Sequence, residues 1–344
     1  MHVGYTAIFQ NPNQSISDYD LYQKDMAIAK LAADSGFQSV WGIEHHFTDY
    51  IMNPNVTQFL AYMAGYNPNI KVGTMVVVMP WYPAIRIAET MAQLDAMSDG
   101  RALFGFGRGL SRIEFEGLQL DMGESTDRMI ETAEAVMQGL EQGYVEANGK
   151  FIKQPKARIR PEPFKSFTDR IYAPSISPNS ASIMAKLGAG VLIIPQKPWD
   201  VHIQDLRKYE KIFKETHNRN PPKPIITSYT VCHADAGKAK DMAAKYIGGY
   251  WKEVVKHYEF TGDHFAKTSG YEYYAEVAQK LQAEGADGLT EFFMELQVYG
   301  TPQQCYDRVK NIHGHTDCCA SIHAFSFGGM PYEESANSLR LFSK

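Results

Sequence analysis

The sequence predicts an α/β fold, a single (β/α)8 TIM barrel with insertions, spanning residues 1–344 as one domain. Three observations lead there. Short apolar runs alternate with segments of helical periodicity along the chain, the pattern of parallel strands joined by helices. Eight such runs can be counted, which favours a closed barrel over an open doubly wound sheet. Polar residues collect where these runs end, and the C-terminal strand ends are the face on which such folds carry their sites.

The elements follow in order. Val3 to Phe9 reads as a first buried strand, broken at Asn11-Pro12-Asn13. Asp18 to Ser35 is a helix with Met26, Ala29, Leu31 and Ala32 on its apolar side, stopped by Gly36. Residues 39–47 form the second strand and 56–66 the second helix. The near-continuous apolar run from Lys71 to Pro80 is a strand covered on both faces, followed by a helix at 84–97 and a strand at 101–109. Further strands at 169–176, 190–195, 225–234 and 320–327 alternate with helices at 180–187, 200–216, 236–258, 302–312 and 332–342. A barrel core needs about 250 residues, so the remainder is insertion. Residues 144–168, with Gly149, Pro155, Pro161 and Pro163, read as an irregular excursion. Residues 259–300, where five glycines lie among aromatics, read as a mobile lid.

Composition sets outer bounds. The chain is 44% hydrophobic and 21% charged, ordinary for a globular domain. A formal charge of −5 gives no support for nucleic-acid binding. Cys232, Cys305, Cys318 and Cys319 form no C-x-x-C pair, and the adjacent two face opposite sides of a strand. Free thiols in a reducing, cytoplasmic compartment are the expectation. The first residues lack a signal-peptide pattern, and no apolar run reaches bilayer-crossing length, so no membrane association is expected.

Four groups offer chemistry. Glu44, His45 and His46 end the second strand, where an imidazole can move protons near neutral pH or simply be hydrogen-bonded structure. Alternation of strand faces keeps the two histidines from sharing a metal, and no metal-ligand spacing occurs elsewhere, so no metal is expected. Gly105-Phe106-Gly107-Arg108-Gly109 misses the dinucleotide fingerprint by one position, but its glycines allow close backbone approach and Arg108 suits a phosphate. The alternative is a tight strand end with Arg108 in an ordinary ion pair. Ser175-Ile176-Ser177-Pro178-Asn179-Ser180 precedes a helix and can cap it or bind phosphate there. The aromatics from Tyr246 to Tyr274 can line an apolar pocket or serve as packing and oligomer surface.

These residues resemble a known family. Trp41 to Thr48, Gly73 to Pro80 and Phe104 to Leu110 are similar to bacterial luciferase of the α-subunit type and to the wider luciferase-like flavin monooxygenases. The likeness continues through Gly249-Tyr250-Trp251, Gly270-Tyr271, Gly300-Thr301-Pro302 and the Cys318-Cys319 strand. It implies a (β/α)8 barrel, usually dimeric, here expected as a homodimer. It also implies reduced FMN supplied by a separate flavin reductase, reaction with O2 through a C4a-peroxyflavin, and an apolar small-molecule substrate. On the same likeness His45 handles protons, with Glu44 and His46 as supports. Arg108, Ser177 and Ser180 hold the FMN phosphate. Met75 and Val76 form a cis non-proline peptide beside the flavin ring, and Leu110 and Trp251 lie near flavin and substrate. A deazaflavin-dependent oxidoreductase and a non-catalytic flavin-binding or supporting subunit are the alternatives. The sequence departs from the luciferases at Gly107, where they carry a reactive cysteine, which implies a roomier pocket and makes light emission doubtful. It departs again at Ile176, where a glutamate is expected.

Overall fold

The structure is a computed structural model. It describes residues 1–177 and 179–344; Pro178 lies outside the described residues, as do the side chains of residues 284, 286 and 287. Eight parallel strands close into a barrel with helices around it. They are β1 (His2–Ala7), β2 (Ser39–Gly42), β3 (Lys71–Thr74), β4 (Ala102–Gly107), β5 (Ile171–Pro174), β6 (Gly190–Ile193), β7 (Ile225–Cys232) and β8 (Ala320–Ala324). Each pairs with the next, and β8 pairs with β1 through His2↔Ala320 to Tyr5↔His323, which closes the ring. Among the described residues no helix is long and apolar enough to cross a membrane.

All eight expected strands are present, and each stops short of the apolar run that announced it. The overrun has one cause. Residues just past the C-terminal strand ends turn inward over the barrel mouth, where burial rather than ladder pairing keeps them apolar. Thus β3 ends at Thr74, the Met75–Val76 peptide is cis, and Val77 and Val78 then pair with Phe106 and Gly107 beyond the main ladder. Likewise β2 ends at Gly42, so Glu44, His45 and His46 sit on a loop rather than a strand.

The two insertions are more regular than the sequence suggests. Residues 144–148 and 153–158 form an antiparallel hairpin with a register shift between Val145 and Ala147. Its turn is tied by Glu131, whose carboxylate accepts the backbone N–H groups of Lys150, Phe151 and Ile152 at 2.8–3.0 Å. Within 259–300 lie a short helix (His264–Lys267), a long one (Glu272–Glu295) broken at Gly285, and a strand (Val298–Gly300) that pairs with β7. Helices Arg112–Gly117 and Ser125–Gln142, which sequence periodicity did not single out, follow β4.

The interior splits into stacked clusters. Trp41, Leu103, Tyr172, Leu192, Ile225 and Ile322 fill the barrel. Above them Tyr50, Tyr250, Phe260, Tyr271, Tyr274 and Phe293 belong to a separate aromatic cluster. The base is fastened by ions. Arg170 grips the fully buried Asp95 through two bonds of 2.6 and 3.1 Å and also donates to the carbonyls of Gly100, Ala102, Lys165 and Ser166. Removing the guanidinium leaves a buried carboxylate uncompensated, which destabilises by about 3–5 kcal/mol. Urea unfolding of Arg170→Ala is expected to show a loss of that size, and a change under about 1 kcal/mol would contradict it.

Candidate active site

A cavity of about 490 Å³ opens at the C-terminal strand ends. It is lined by Glu44, His45, Met75, Val76, Arg108, Leu110, Ser177 and Ser180, so eight of the ten residues singled out in the sequence share one space. His46 and Trp251 are outside that lining. His46 turns away, its Nε2 bonded to Glu44 Oε1 at 3.2 Å and its ring edge-on to Trp81. Trp251 stacks on Phe293 at 4.6 Å, and it is Phe293 that meets the cavity. Trp251 therefore acts through packing.

The loop after β2 is held by two carboxylates. Glu44 Oε2 accepts the backbone N–H of Val78 at 3.0 Å, and Glu44 Oε1 takes the Tyr82 hydroxyl as well as His46. Burial and this carboxylate push the Tyr82 phenol far above its ordinary value. Glu114, from the Arg112–Gly117 helix, reaches the same loop. Its Oε1 bonds His45 Nδ1 at 2.9 Å and the His46 backbone N–H at 2.7 Å. The sequence argument separated the histidines by strand alternation. They do point apart, but the two carboxylates pull them apart, since no strand is present there.

Glu114 was not foreseen. It is fully buried, and burial alone opposes its charge; the His45 imidazole and then His257 outweigh that and hold its carboxyl at about 2. Among the described residues, His45, Glu114 and His257 bring ligand atoms within 4.8 Å of one another, a spacing that a metal ion could use. The expectation of no metal rested on His45 with His46 and on the lack of metal-ligand spacings along the chain, neither of which reaches a set this far apart in sequence. On the cavity side, His45 Nε2 lies 3.2 Å from the Tyr258 hydroxyl. The phenols of Tyr229, Tyr250 and Tyr50 form a chain along the wall, with O···O distances of 2.7 and 2.8 Å.

Arg108 meets the cavity with part of its guanidinium already engaged. Nη1 donates to Thr126 Oγ1 at 2.9 Å and to the Gly270 carbonyl at 2.7 Å, and the group lies 4.0 Å from the Tyr271 ring centroid. Arginine has five N–H donors, so others remain for an anion. Ser177, Asn179 and Ser180 line the same cavity, and no side chain caps the Ser180–Leu187 helix. Ser180 Oγ instead donates to the Ser177 carbonyl at 2.5 Å. Glu272 and Glu276 also line the cavity, the former accepting from the Gly270 N–H. The carbonyl of Ile176 is taken by the Lys197 ammonium at 3.0 Å.

The glycines of β4 serve the neighbouring strand before any ligand. A Cβ on Gly105 would stand 2.0 Å from the Thr74 carbonyl oxygen. A Cβ on Gly107, which lines the cavity, would stand 2.7 Å from Val76 Cγ2, so the two positions compete for one space. Of the aromatics expected to line a pocket, Tyr250, Tyr258, Tyr273 and Tyr274 do so, whereas Phe260, Phe265 and Tyr271 are packing.

The depressed Glu114 carboxyl makes stability depend on pH. Its folded value near 2 lies below the ordinary 4.5. Its charge therefore stabilises the fold above the ordinary value, and that contribution is lost as the pH falls toward the folded value. Urea unfolding between those two values is expected to show wild type losing its margin over Glu114→Gln as pH falls. A margin that does not change with pH would refute the assignment.

Comparison with known proteins bears on what this site belongs to. The model of the luciferase-like monooxygenase family matches residues 1–316. An alkanal monooxygenase alpha chain of Photorhabdus luminescens is 26% identical over 326 residues, covering 92% of this chain and 88% of that one. The oxygenase component of a flavin-dependent trigonelline monooxygenase from Acinetobacter baylyi is 24% identical over 298 residues, covering 79% and 82%. Among solved structures, the oxygenating constituent of 3,6-diketocamphane monooxygenase from Pseudomonas putida, in complex with FMN, superposes with a TM-score of 0.73 at 15% identity, covering 100% and 97%. The coenzyme F420-dependent tetrahydromethanopterin reductase of Methanopyrus kandleri gives 0.69 at 17%, covering 100% and 98%. With the family matched across nearly its whole length, the chain belongs to the luciferase-like monooxygenases.

Proposed function

We propose that the protein is a monooxygenase that uses reduced FMN and O2 to oxygenate an apolar carbonyl, amine or alkyl compound. The observation that carries this reading is one apolar cavity holding both a guanidinium with donors to spare, Arg108, and a buried imidazole of fixed orientation, His45. The residues present fit a phosphorylated flavin. Arg108, Ser177, Ser180 and the uncapped helix behind them suit the phosphate. Ser228 Oγ, on a side chain 2% exposed that lines the cavity, has no partner among the described residues and is open to a ligand atom.

Bound reduced flavin would supply the oxygenating chemistry, through the C4a-peroxyflavin that the family resemblance implies. The chain's own residues do the rest. Met75 and Val76 would flank the ring, and Ile43, Leu110, Ile176 and Phe293, which line the same cavity, would keep water from it. His45 presents Nε2 to the cavity because Glu114 occupies Nδ1, so it exchanges protons at one defined atom. Glu44 and His46 hold the β2 and β3 loops together beneath it. A separate reductase supplies the reduced flavin, and two copies of the chain form the enzyme. A deazaflavin cofactor is the second reading, favoured by the likeness to an F420-dependent reductase.

Titration separates the two: FMN is expected to bind more tightly than a deazaflavin. Arg108→Ala is expected to weaken FMN binding by about 10- to 100-fold, the worth of a charge-assisted hydrogen bond. In stopped-flow oxidation of the reduced complex, wild type is expected to accumulate a long-lived peroxyflavin that His45→Ala shortens. Preference for the deazaflavin, or an intermediate unchanged in His45→Ala, would overturn the proposal.

A further inference from the structure

The groups behind His45 continue away from the cavity. Glu114 Oε1, which occupies His45 Nδ1, lies 3.7 Å from His257 Nε2. His257 Nδ1 in turn meets the Thr48 hydroxyl at 3.0 Å. Glu114 and His257 are buried, whereas Thr48 is half-buried. The series therefore leads from the cavity wall toward the surface. It contains one gap: Glu114 Oε2 and His257 Nε2 both lack a hydrogen-bond partner. Two buried atoms without partners on neighbouring side chains call for an explanation. With the His257 proton on Nδ1, toward Thr48, Nε2 and the carboxylate are both acceptors, so they cannot bond until a proton arrives between them.

We propose that Glu114, His257 and Thr48 form a proton exit from the cavity, which serves His45 while the cavity is filled and closed to water. The inference rests on the reading of His45 as the group that takes the proton. The transfer balances without a co-reactant. His45 gains a proton at Nε2 and gives the one at Nδ1 to Glu114. Glu114 passes a proton to His257 Nε2. His257 gives the one at Nδ1 to Thr48 Oγ1, whose own proton goes to water. Each group ends with as many protons as it began with, and each ring passes from its Nδ1–H to its Nε2–H tautomer. A proton entering by the same route restores them.

Among the described residues, the groups packed on His257 offer no competing base. Tyr50 stacks on His257 at 4.5 Å and Tyr258 lies edge-on at 4.8 Å. Both phenols are held well above their ordinary values by burial, so neither offers a base. Glu259, the other carboxylate acting on His257, is paired with Arg112 through Oε1 and Oε2 at 2.6 and 3.0 Å. Burial lowers the His257 imidazole, which keeps the ring neutral, with one nitrogen an acceptor.

The test is exchange of the His45 Nδ1 proton with water, measured by NMR on the ligand-free protein carrying 15N-histidine. His257→Gln and Thr48→Val are each expected to slow exchange by about tenfold or more, a modest share of what a positioned acid–base group contributes. The Nδ1 proton shift, which reports the bond to Glu114, is expected to stay in place. Exchange at the wild-type rate in both variants overturns the proposal, as does a shift that moves together with the rate. Thr48→Val carries the test if His257→Gln does not fold. No flavin is present, so failure here leaves the monooxygenase reading standing, and failure of the peroxyflavin experiment leaves this one measurable.

Discussion

A buried carboxylate holds the barrel mouth in its shape. Glu114 comes from a short helix after β4 and is the point where that helix, the β2 loop and the end of the long helix Ala236–His257 meet. Burying an unpaired carboxylate costs several kcal/mol. The fold therefore tolerates Glu114 only with His45, the His46 amide and His257 around it. That constraint runs both ways. The same bonds that keep Glu114 ionised leave His45 one ring nitrogen for the cavity, and they fix which one it is.

Glu44 performs the matching task between strands. It joins the β2 loop to Val78, just past the cis peptide that ends β3, and so sets the spacing between the imidazole and the backbone expected beside a flavin ring. Across the cavity Arg108 is tied to Gly270 and stacked against Tyr271. The segment read from its glycines as a mobile lid is thus fastened to the residue proposed to bind phosphate. A phosphate held by Arg108, as proposed, would be coupled through that one side chain to the position of this segment.

Most of the fold was legible because parallel strands carry a strong signal: short apolar runs on a regular alternation with helices. The strand ends were not, because apolar residues lining a cavity look the same in sequence as apolar residues in a ladder. The hairpin at 144–158 was hidden because its strands are largely exposed and lack alternation. The candidate site was legible where it is local. Glu44, His45 and Arg108 stand beside the strands that place them. Glu114 was not, since it lies 69 residues from His45 and nothing in its own helix sets it apart from Glu116, two positions away and exposed. His257 was visible only as one more ring in an aromatic stretch. Trp251 was assigned by likeness alone, and its place behind Phe293 shows that a matching position need not keep a matching contact.

The contact between Val76 and Gly107 has an evolutionary consequence. The two positions draw on one volume, for a Cβ at 107 would press to within 2.7 Å of the Val76 methyl. On this backbone a branched side chain at 76 and a cysteine at 107 conflict unless the Val76 side chain turns or a strand moves. A lineage gaining the thiol must first shrink residue 76, and one losing the thiol is free to enlarge it. The pair should therefore drift together among relatives, small opposite large, even where neither residue takes part in the chemistry.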